Sequence, residues 1–372
     1  MRLAWKNILH DRVRFATTVF GIAFAIFLMV FQGSLLAGFL QAASKLVDVA
    51  DSDLWITARG VSCFDFAAPL SKRFREVAIG IPGVKSASRI VTAFAEYRTP
   101  AGRHEKIALV GADPEVGWRF PVPYVLGSRD ALEPESVIID HSNAALLDAA
   151  SLPIDVEINQ HRTRVLRQVS GFGSFLGCPY VFTSYADASR YIGLNQEDAM
   201  YILLRLRRGY SVDQVKRALQ TRLPDVDVWT QAEFARQSKI YWVSQTGAGA
   251  GILIAAILGF LIGLLVVSQT IYATTLENLE EFATLKALGA TRWFVIRVVL
   301  AQSLFCGAVG CALGLAAALP LVDAARVMIA WIYTPWWLPV AMFVPTLAMC
   351  CLAAAVSIRA ALAVEPAKVF RA

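Results

Sequence analysis

The sequence predicts an α-helical membrane protein with four transmembrane helices and both termini in the cytoplasm. A large α+β extracytoplasmic domain is inserted between the first and second helices. Three observations carry this reading. The 372 residues are 56% hydrophobic and only 17% charged, with a mean hydropathy of +0.53, more apolar than a soluble domain. Four stretches lack charge, between Arg14 and Lys45, Lys239 and Glu277, Arg297 and Asp323, and Arg326 and Arg359; each exceeds the roughly twenty residues that span a bilayer as a helix. The third observation is where Lys and Arg flank those stretches, because basic residues in short flanks resist translocation. Arg2, Lys6, Arg12 and Arg14 precede the first span, Lys286, Arg292 and Arg297 separate the second from the third, and Arg359, Lys368 and Arg371 follow the fourth, whereas the third-to-fourth loop offers only Arg326.

The elements follow in order. Residues 1–15 form a cytoplasmic amphipathic helix, with Trp5, Ile8, Leu9 and Arg12 three or four apart, suited to an anionic inner leaflet. The first span covers 16–40. Ala42-Ala43 could serve as a cleavage site, but the apolar run is about twice the length of a secretory core, so the span is expected to stay uncleaved. The extracytoplasmic domain covers 41–243, the second span 244–272, a cytoplasmic helix 273–293, the third span 294–320, an external loop 321–336, the fourth span 337–358 and a cytoplasmic tail 359–372.

Within the domain, Leu54-Trp55-Ile56-Thr57 reads as a strand, and Ser71 to Ile79 as a helix ended by Pro82-Gly83. Val84 to Arg98 and His104 to Val110 read as a hairpin across Pro100-Ala101-Gly102. The order repeats at the end of the domain, where Met200 to Leu206 is strand-like, Ser211 is placed to cap the helix Val212 to Leu223, and Val226 to Trp229 is strand-like again. The two ends are therefore expected to pack together. The middle, about 113–198, contains Pro121, Pro123, Pro134 and Pro153 and is expected to form an irregular lobe, with a hairpin from Ile154 to Ser170.

Catalytic patterns are lacking. His10, His104, His141 and His161 have no metal-ligand spacing, so no metal site is expected. Gly171-Phe172-Gly173-Ser174-Phe175 lacks the spacing of a nucleophile elbow and reads as a flexible turn. Gly247-Ala248-Gly249-Ala250-Gly251 has no following Lys-Ser/Thr and opens a span, so it is no phosphate loop. Cys306, Cys311, Cys350 and Cys351 fall in spans, leaving Cys63 and Cys178 as a possible disulfide in the external domain. The polar groups in or beside the spans are mainly Gln32, Gln245, Gln269 and Gln302, with no carboxylate relay of a proton-coupled carrier.

The glycine pairs Gly247 and Gly251, Gly259 and Gly263, and Gly310 and Gly314 each put small residues on one helical face, for packing within the chain or against a second copy. Trp331-Ile332-Tyr333-Thr334-Pro335-Trp336-Trp337 has the composition of an interfacial belt, or of a docking surface for an outer partner. Between the second and third spans, Leu276, Leu279, Phe282, Leu285 and Leu288 draw a slowly spiralling apolar stripe, with Glu277, Glu280, Glu281 and Lys286 off it and Gly289 where the helix would stop.

EFATLKALGATRWFVIRVVLAQSL from Glu281 to Leu304, the terminal AVEPAKVFRA from Ala363 and the four-span layout resemble the FtsX/MacB-type ABC transporter permeases. The FtsX-like region would cover about 250–372 and the domain at 41–243 would be MacB-like. The start LAWKNILHDRVRFATTVFGIAFAIFLMVFQ, with Gln269, Tyr272 and EFATLKALG, is most similar to DevC-type permeases, with a departure at Thr274-Thr275-Leu276-Glu277-Asn278, where more acidic residues are typical.

The resemblance implies a permease dimer of the bacterial inner membrane, not an enzyme, driven by a separate ABC ATPase that binds Mg-ATP; this chain itself holds no cofactor. Glu277, Glu280, Glu281, Thr284, Lys286, Gly289, Ala290 and Arg292 would receive the ATPase's motion and pass it on mechanically. A membrane-fusion protein and membrane lipid are implied as further partners, nucleic acid is not, and the cargo would be lipid, glycolipid or another amphiphile. The alternatives are a scaffold that regulates an external partner without transport, and a permease that extracts lipoproteins.

Overall fold

The computed structural model describes residues 12–113, 125–126, 133–195, 197–277 and 291–363. A long helix α1 (Arg12–Ala42) and one turn, α2 (Lys45–Asp48), lead into β1 (Leu54–Ala58), α3 (Lys72–Ile79), β2 (Val84–Arg98) and β3 (His104–Ala112). Then come β4 (Val125–Leu126), β5 (Ser136–Asp140), β6 (Ile154–Ile158), β7 (His161–Val169), β8 (Tyr180–Ser184) and α4 (Tyr185–Ile192). The domain closes with β9 (Tyr201–Leu206), α5 (Val212–Arg222), β10 (Val226–Thr230) and α6 (Gln231–Ser244). The remaining helices are α7 (Gly247–Glu277), α8 (Arg292–Ala325), α9 (Trp337–Ala341) and α10 (Phe343–Ala363). Two compact units result: a sheet unit of Phe39–Ala250 with Val327–Trp331, and a helical unit of the residues up to Gly38, Gly251–Arg326 and those from Ile332.

Among the described residues of the sheet unit, ten strands share one sheet in the order β10-β1-β9-β2-β3-β8-β5-β7-β4, with β6 pairing β2 and β7. The 15-residue β2 is its seam, because Val84–Ile90 pairs with β9 and Ile90–Arg98 with β3. The two ends of the domain therefore meet, with β1 hydrogen-bonded between β9 and β10. The middle is not the irregular lobe that its prolines suggested. β5 and β8 lie inside the same sheet, and β5 is buried at every position. A strand covered on both faces has no apolar-polar alternation, so its signal was lost among the prolines. The helix α6 was also unanticipated, although Thr230-Gln231-Ala232-Glu233 is a capping box in which each side chain bonds the other's backbone N–H. Trp55, Phe64, Tyr201 and Phe234 pack together on the face that α6 covers.

Among the described residues, four segments are long and apolar enough to cross a membrane: Phe15–Ala42, Gly247–Gln269, Ile296–Ala325 and Trp337–Ala355. Val19, Ile22 and Ile26 of α1 form a buried cluster with Val267, Cys306, Cys311, Met349 and Ala353. The fourth segment runs as one candidate span from Trp337 to Ala355. α9 and α10 meet at Met342, which keeps helical backbone (φ −65°, ψ −17°) and donates its N–H to the Leu338 carbonyl at 3.0 Å, with Pro339 and Pro345, which have no N–H to donate, on either side.

The glycine pairs divide. A Cβ at Gly310 would stand 2.6 Å from Ile22 Cγ2, one at Gly314 2.6 Å from the Ala23 carbonyl, and one at Gly263 2.9 Å from Ala25 Cβ, so these three admit α1 at close range. Gly259 has only an ordinary contact with Gln32. Gly247 and Gly251 face open space, so close packing within this chain does not use them. Gly307, which no four-residue pairing singled out, lies against Cys350 Sγ.

Candidate functional site

The expected site residues are placed unequally. Glu280, Glu281, Thr284, Lys286, Gly289 and Ala290 lie outside the described residues, as do residues 1–11 of the expected N-terminal helix. Glu277 closes α7, so the second apolar helix runs unbroken into the start of the expected cytoplasmic segment, and Arg292 opens α8 after Thr291 in extended backbone. Cys63 and Cys178 are free thiols, not a disulfide. Cys63 is buried, and burial followed by the nearby Asp65 carboxylate pushes its thiol up to about 12, which suppresses the thiolate that disulfide formation requires. Cys178 is half-buried near Lys106.

A different constellation emerges at residues 170–179, the loop from β7 to β8. It contains the Gly-Phe-Gly-Ser-Phe sequence, and it is a packing element with three attachments, not a flexible turn. Phe172 is buried edge-on against Phe182 at 5.1 Å, and its N–H donates to Asp140 Oδ2 at 2.7 Å, fixing the loop to the sheet. Phe175 lies edge-on between two rings, Phe39 in the last turn of α1 at 4.9 Å and Trp242 in the last turn of α6 at 4.8 Å. Gly173 presses flat against the segment that follows α8, where a Cβ would stand 2.7 Å from the Ala330 carbonyl carbon. Trp331 completes the set, 6.3 Å from Phe39. One short loop thus touches the end of α1, the helix before α7 and the segment after α8, all within the sheet unit.

Two polar groups tighten this junction. Asp65 accepts hydrogen bonds from Tyr180 Oη at 2.8 Å and Trp242 Nε1 at 3.0 Å, tying β8 to α6. Gln231 Nε2, at the start of α6, shares its two N–H hydrogens among the carbonyls of Val47, Asp48 and Ala50, each 2.9 Å away, holding α6 to the segment after α1. The residues that sequence reasoning missed here are Phe39, Asp65, Phe175, Gln231 and Trp242. For Phe39 and Trp242 the signal available was an aromatic side chain close to either end of the domain, whose mutual contact with Phe175 only the fold establishes.

Burial raises the Asp65 carboxyl above its ordinary value of 3.8 and outweighs the hydrogen bonds from Tyr180 and Trp242, which favour the carboxylate. The folded state therefore keeps this proton to higher pH than the unfolded chain does. Its contribution to stability is complete below pH 3.8 and is lost as pH rises through the raised folded value. In Asp65→Asn that slope should vanish. Thermal unfolding against pH should show the midpoint of the native chain falling relative to the variant over this interval, and parallel curves would refute it.

The junction offers no reaction chemistry. Tyr180 and Tyr201 are held neutral by burial, Cys63 is a neutral thiol, and the described residues contain no group of three or more metal-ligating side chains. What it offers is rigidity, since closely packed rings and satisfied buried hydrogen bonds resist relative displacement.

The family model of the MacB-like periplasmic core domain matches residues 15–222, more than half of the chain, and that of the FtsX-like permease C-terminal matches residues 253–366. The chain belongs to the MacB/FtsX-type permeases. Family members are ABC transporter permeases, transmembrane components without an ATPase site of their own, so membership implies an ABC ATPase partner, a dimer and a multi-pass membrane location. No curated protein matches this permease. Similar solved structures include the periplasmic region of MacB from Actinobacillus actinomycetemcomitans, at 12% identity and a TM-score of 0.40, covering 52% of this chain and 96% of that one. The extracellular domain of the noncanonic ABC-type transporter YknZ from Gram-positive bacteria matches at 13% identity and 0.36, covering 48% and 98%. A domain of a permease protein from Porphyromonas gingivalis matches at 14% and 0.32, covering 48% and 88%.

Proposed function

We propose that this permease is the membrane subunit of an ABC exporter, in which ATP-driven motion of a separate ATPase reaches the external sheet through the loop at 170–179. The observation that carries the proposal is the triple attachment of that loop, through Phe175 and Gly173, to the segments leading from α1, into α7 and out of α8. A displacement of those helices acts on the sheet through packed side chains, without requiring a pore. The permease would act as a homodimer in a bacterial inner membrane, with both termini cytoplasmic and the sheet unit outside. The cargo is a lipid, glycolipid or another amphiphile, handed to a membrane-fusion protein as in DevC-type tripartite systems.

The ATPase would engage the cytoplasmic segment around Glu277 to Arg292. Glu281→Ala and Gly289→Val should insert normally yet lose stimulation of the partner ATPase, by tenfold or about 1.4 kcal/mol of coupling if one docking contact is removed. Coupled turnover in proteoliposomes checks this, and undiminished stimulation in both variants would sink the assignment.

A further inference from the structure

Among the described residues, the face of the sheet that α6 covers continues beyond the helix without a cover. Phe94 on β2 points to this face, 36% exposed, and Phe66 beside it is 49% exposed. Their ring centroids are 6.4 Å apart, and Phe66 lies 6.0 Å from Tyr241 and 5.8 Å from Trp242. Three aromatic rings thus form one accessible apolar strip running into the junction, unlike apolar residues scattered singly on a surface.

The strip ends on a cation. Lys106 lies directly opposite Glu96 in the β2–β3 ladder, one same-face position beyond Phe94, and its Nζ is 4.5 Å above the Phe94 ring. Glu96 is engaged by His104 Nδ1, and Glu105 by Arg103. Among the described residues no carboxylate comes within ion-pair distance of Lys106, which leaves its ammonium as the strip's available charge. Tyr241 precedes the first residue of α7 by six positions, so the strip's inner end lies within about 20 Å of that apolar helix along the chain.

We infer that this strip binds an anionic single-chain amphiphile drawn from the outer leaflet, with its alkyl chain on Phe66, Phe94 and Tyr241 and its negative head on Lys106. The inference rests on the export reading above and assigns that reading a cargo class and an entry surface. An apolar run closed by one cation complements an alkyl chain closed by one anion, whereas a neutral lipid would leave Lys106 unused.

The test uses the full chain in phosphatidylcholine nanodiscs with a diazirine-bearing palmitic acid, and the corresponding alcohol as the neutral probe. The acid should label peptides containing Phe66, Phe94 and Tyr241 in preference to the alcohol. Phe66→Ser with Phe94→Ser should cut that labelling about tenfold. Lys106→Gln, an exposed change that leaves the apolar strip intact, should remove the preference for acid over alcohol. Labelling confined to the apolar helices, equal labelling by acid and alcohol in the native chain, or no change in the double variant would each overturn the inference. A photocrosslinker at Phe94 that captures a second copy of the chain in place of the acid would reassign the strip to a subunit contact and overturn it equally. No ATPase is present, so failure here is distinct from failure of the coupling reading.

Discussion

Trp242→Ala is expected to destabilise the external domain by about 3–5 kcal/mol, the range for deleting a large buried aromatic side chain. Trp242 is only 7% exposed, lies edge-on to Phe175 at 4.8 Å, and donates its indole N–H to Asp65. Alanine would leave a cavity where α6 meets the loop and would strip one donor from the half-buried Asp65 carboxyl group. Trp242→Phe separates the two contributions, because it retains most of the ring contact and loses the hydrogen bond, at about 1–3 kcal/mol. Thermal unfolding of the full chain in mild detergent should order the variants native, Phe, Ala. Equal midpoints for native and Ala would show that the junction does not hold α6 to the sheet.

The second large effect belongs to the helical unit. Gly314→Leu would drive a side chain into the backbone of α1, since even a Cβ would stand 2.6 Å from the Ala23 carbonyl. Backbone cannot rotate away as a side chain can, so the cost should reach the upper end of overpacking, about 3 kcal/mol, with loss of monodisperse protein. Gly251→Leu is the matched control, because that position faces open space. Within about 0.5 kcal/mol it should leave stability unchanged, as substitutions away from contacts do. Each of these glycines is the second member of a four-residue glycine pair in the sequence, and only the structure distinguishes the one that packs from the one that does not. Equal behaviour of the two variants would contradict the placement of α8 against α1.

Gly251 and Gly314 are alike in sequence and differ only in what the fold packs against them. Charge-free length alone identified the four apolar segments, because a bilayer imposes a minimum length independent of packing. Strands with one exposed face, such as β2 and the β6–β7 hairpin, announced themselves by alternation and turn residues, and their bounds were read nearly as found. β5 and β8 did not, because both of their faces are covered. The junction was the least legible part. Phe39 and Phe175 are far apart in sequence, as are Asp65 and Trp242, and a single sequence carries no record of which distant residues touch. Gly173 was visible as a glycine but not as the flat surface that receives Ala330. The resemblance carried by Glu281 to Leu304 led to the family, yet most of those coupling positions, Glu281 to Ala290, lie outside the described residues.

If force passes through Phe175, as proposed, the most direct measurement follows the sheet unit while ATP is turned over. An environment-sensitive probe at Gln160→Cys, in the exposed turn between β6 and β7, would report movement of the domain in proteoliposomes containing the cognate ATPase. The native background should give an ATP-linked signal change. Phe175→Ala, which removes the ring between Phe39 and Trp242, should abolish that change while the ATPase still binds the permease and nucleotide. A Phe175→Ala chain whose ATP-linked signal matches the native one would contradict the proposal that motion reaches the sheet through this loop.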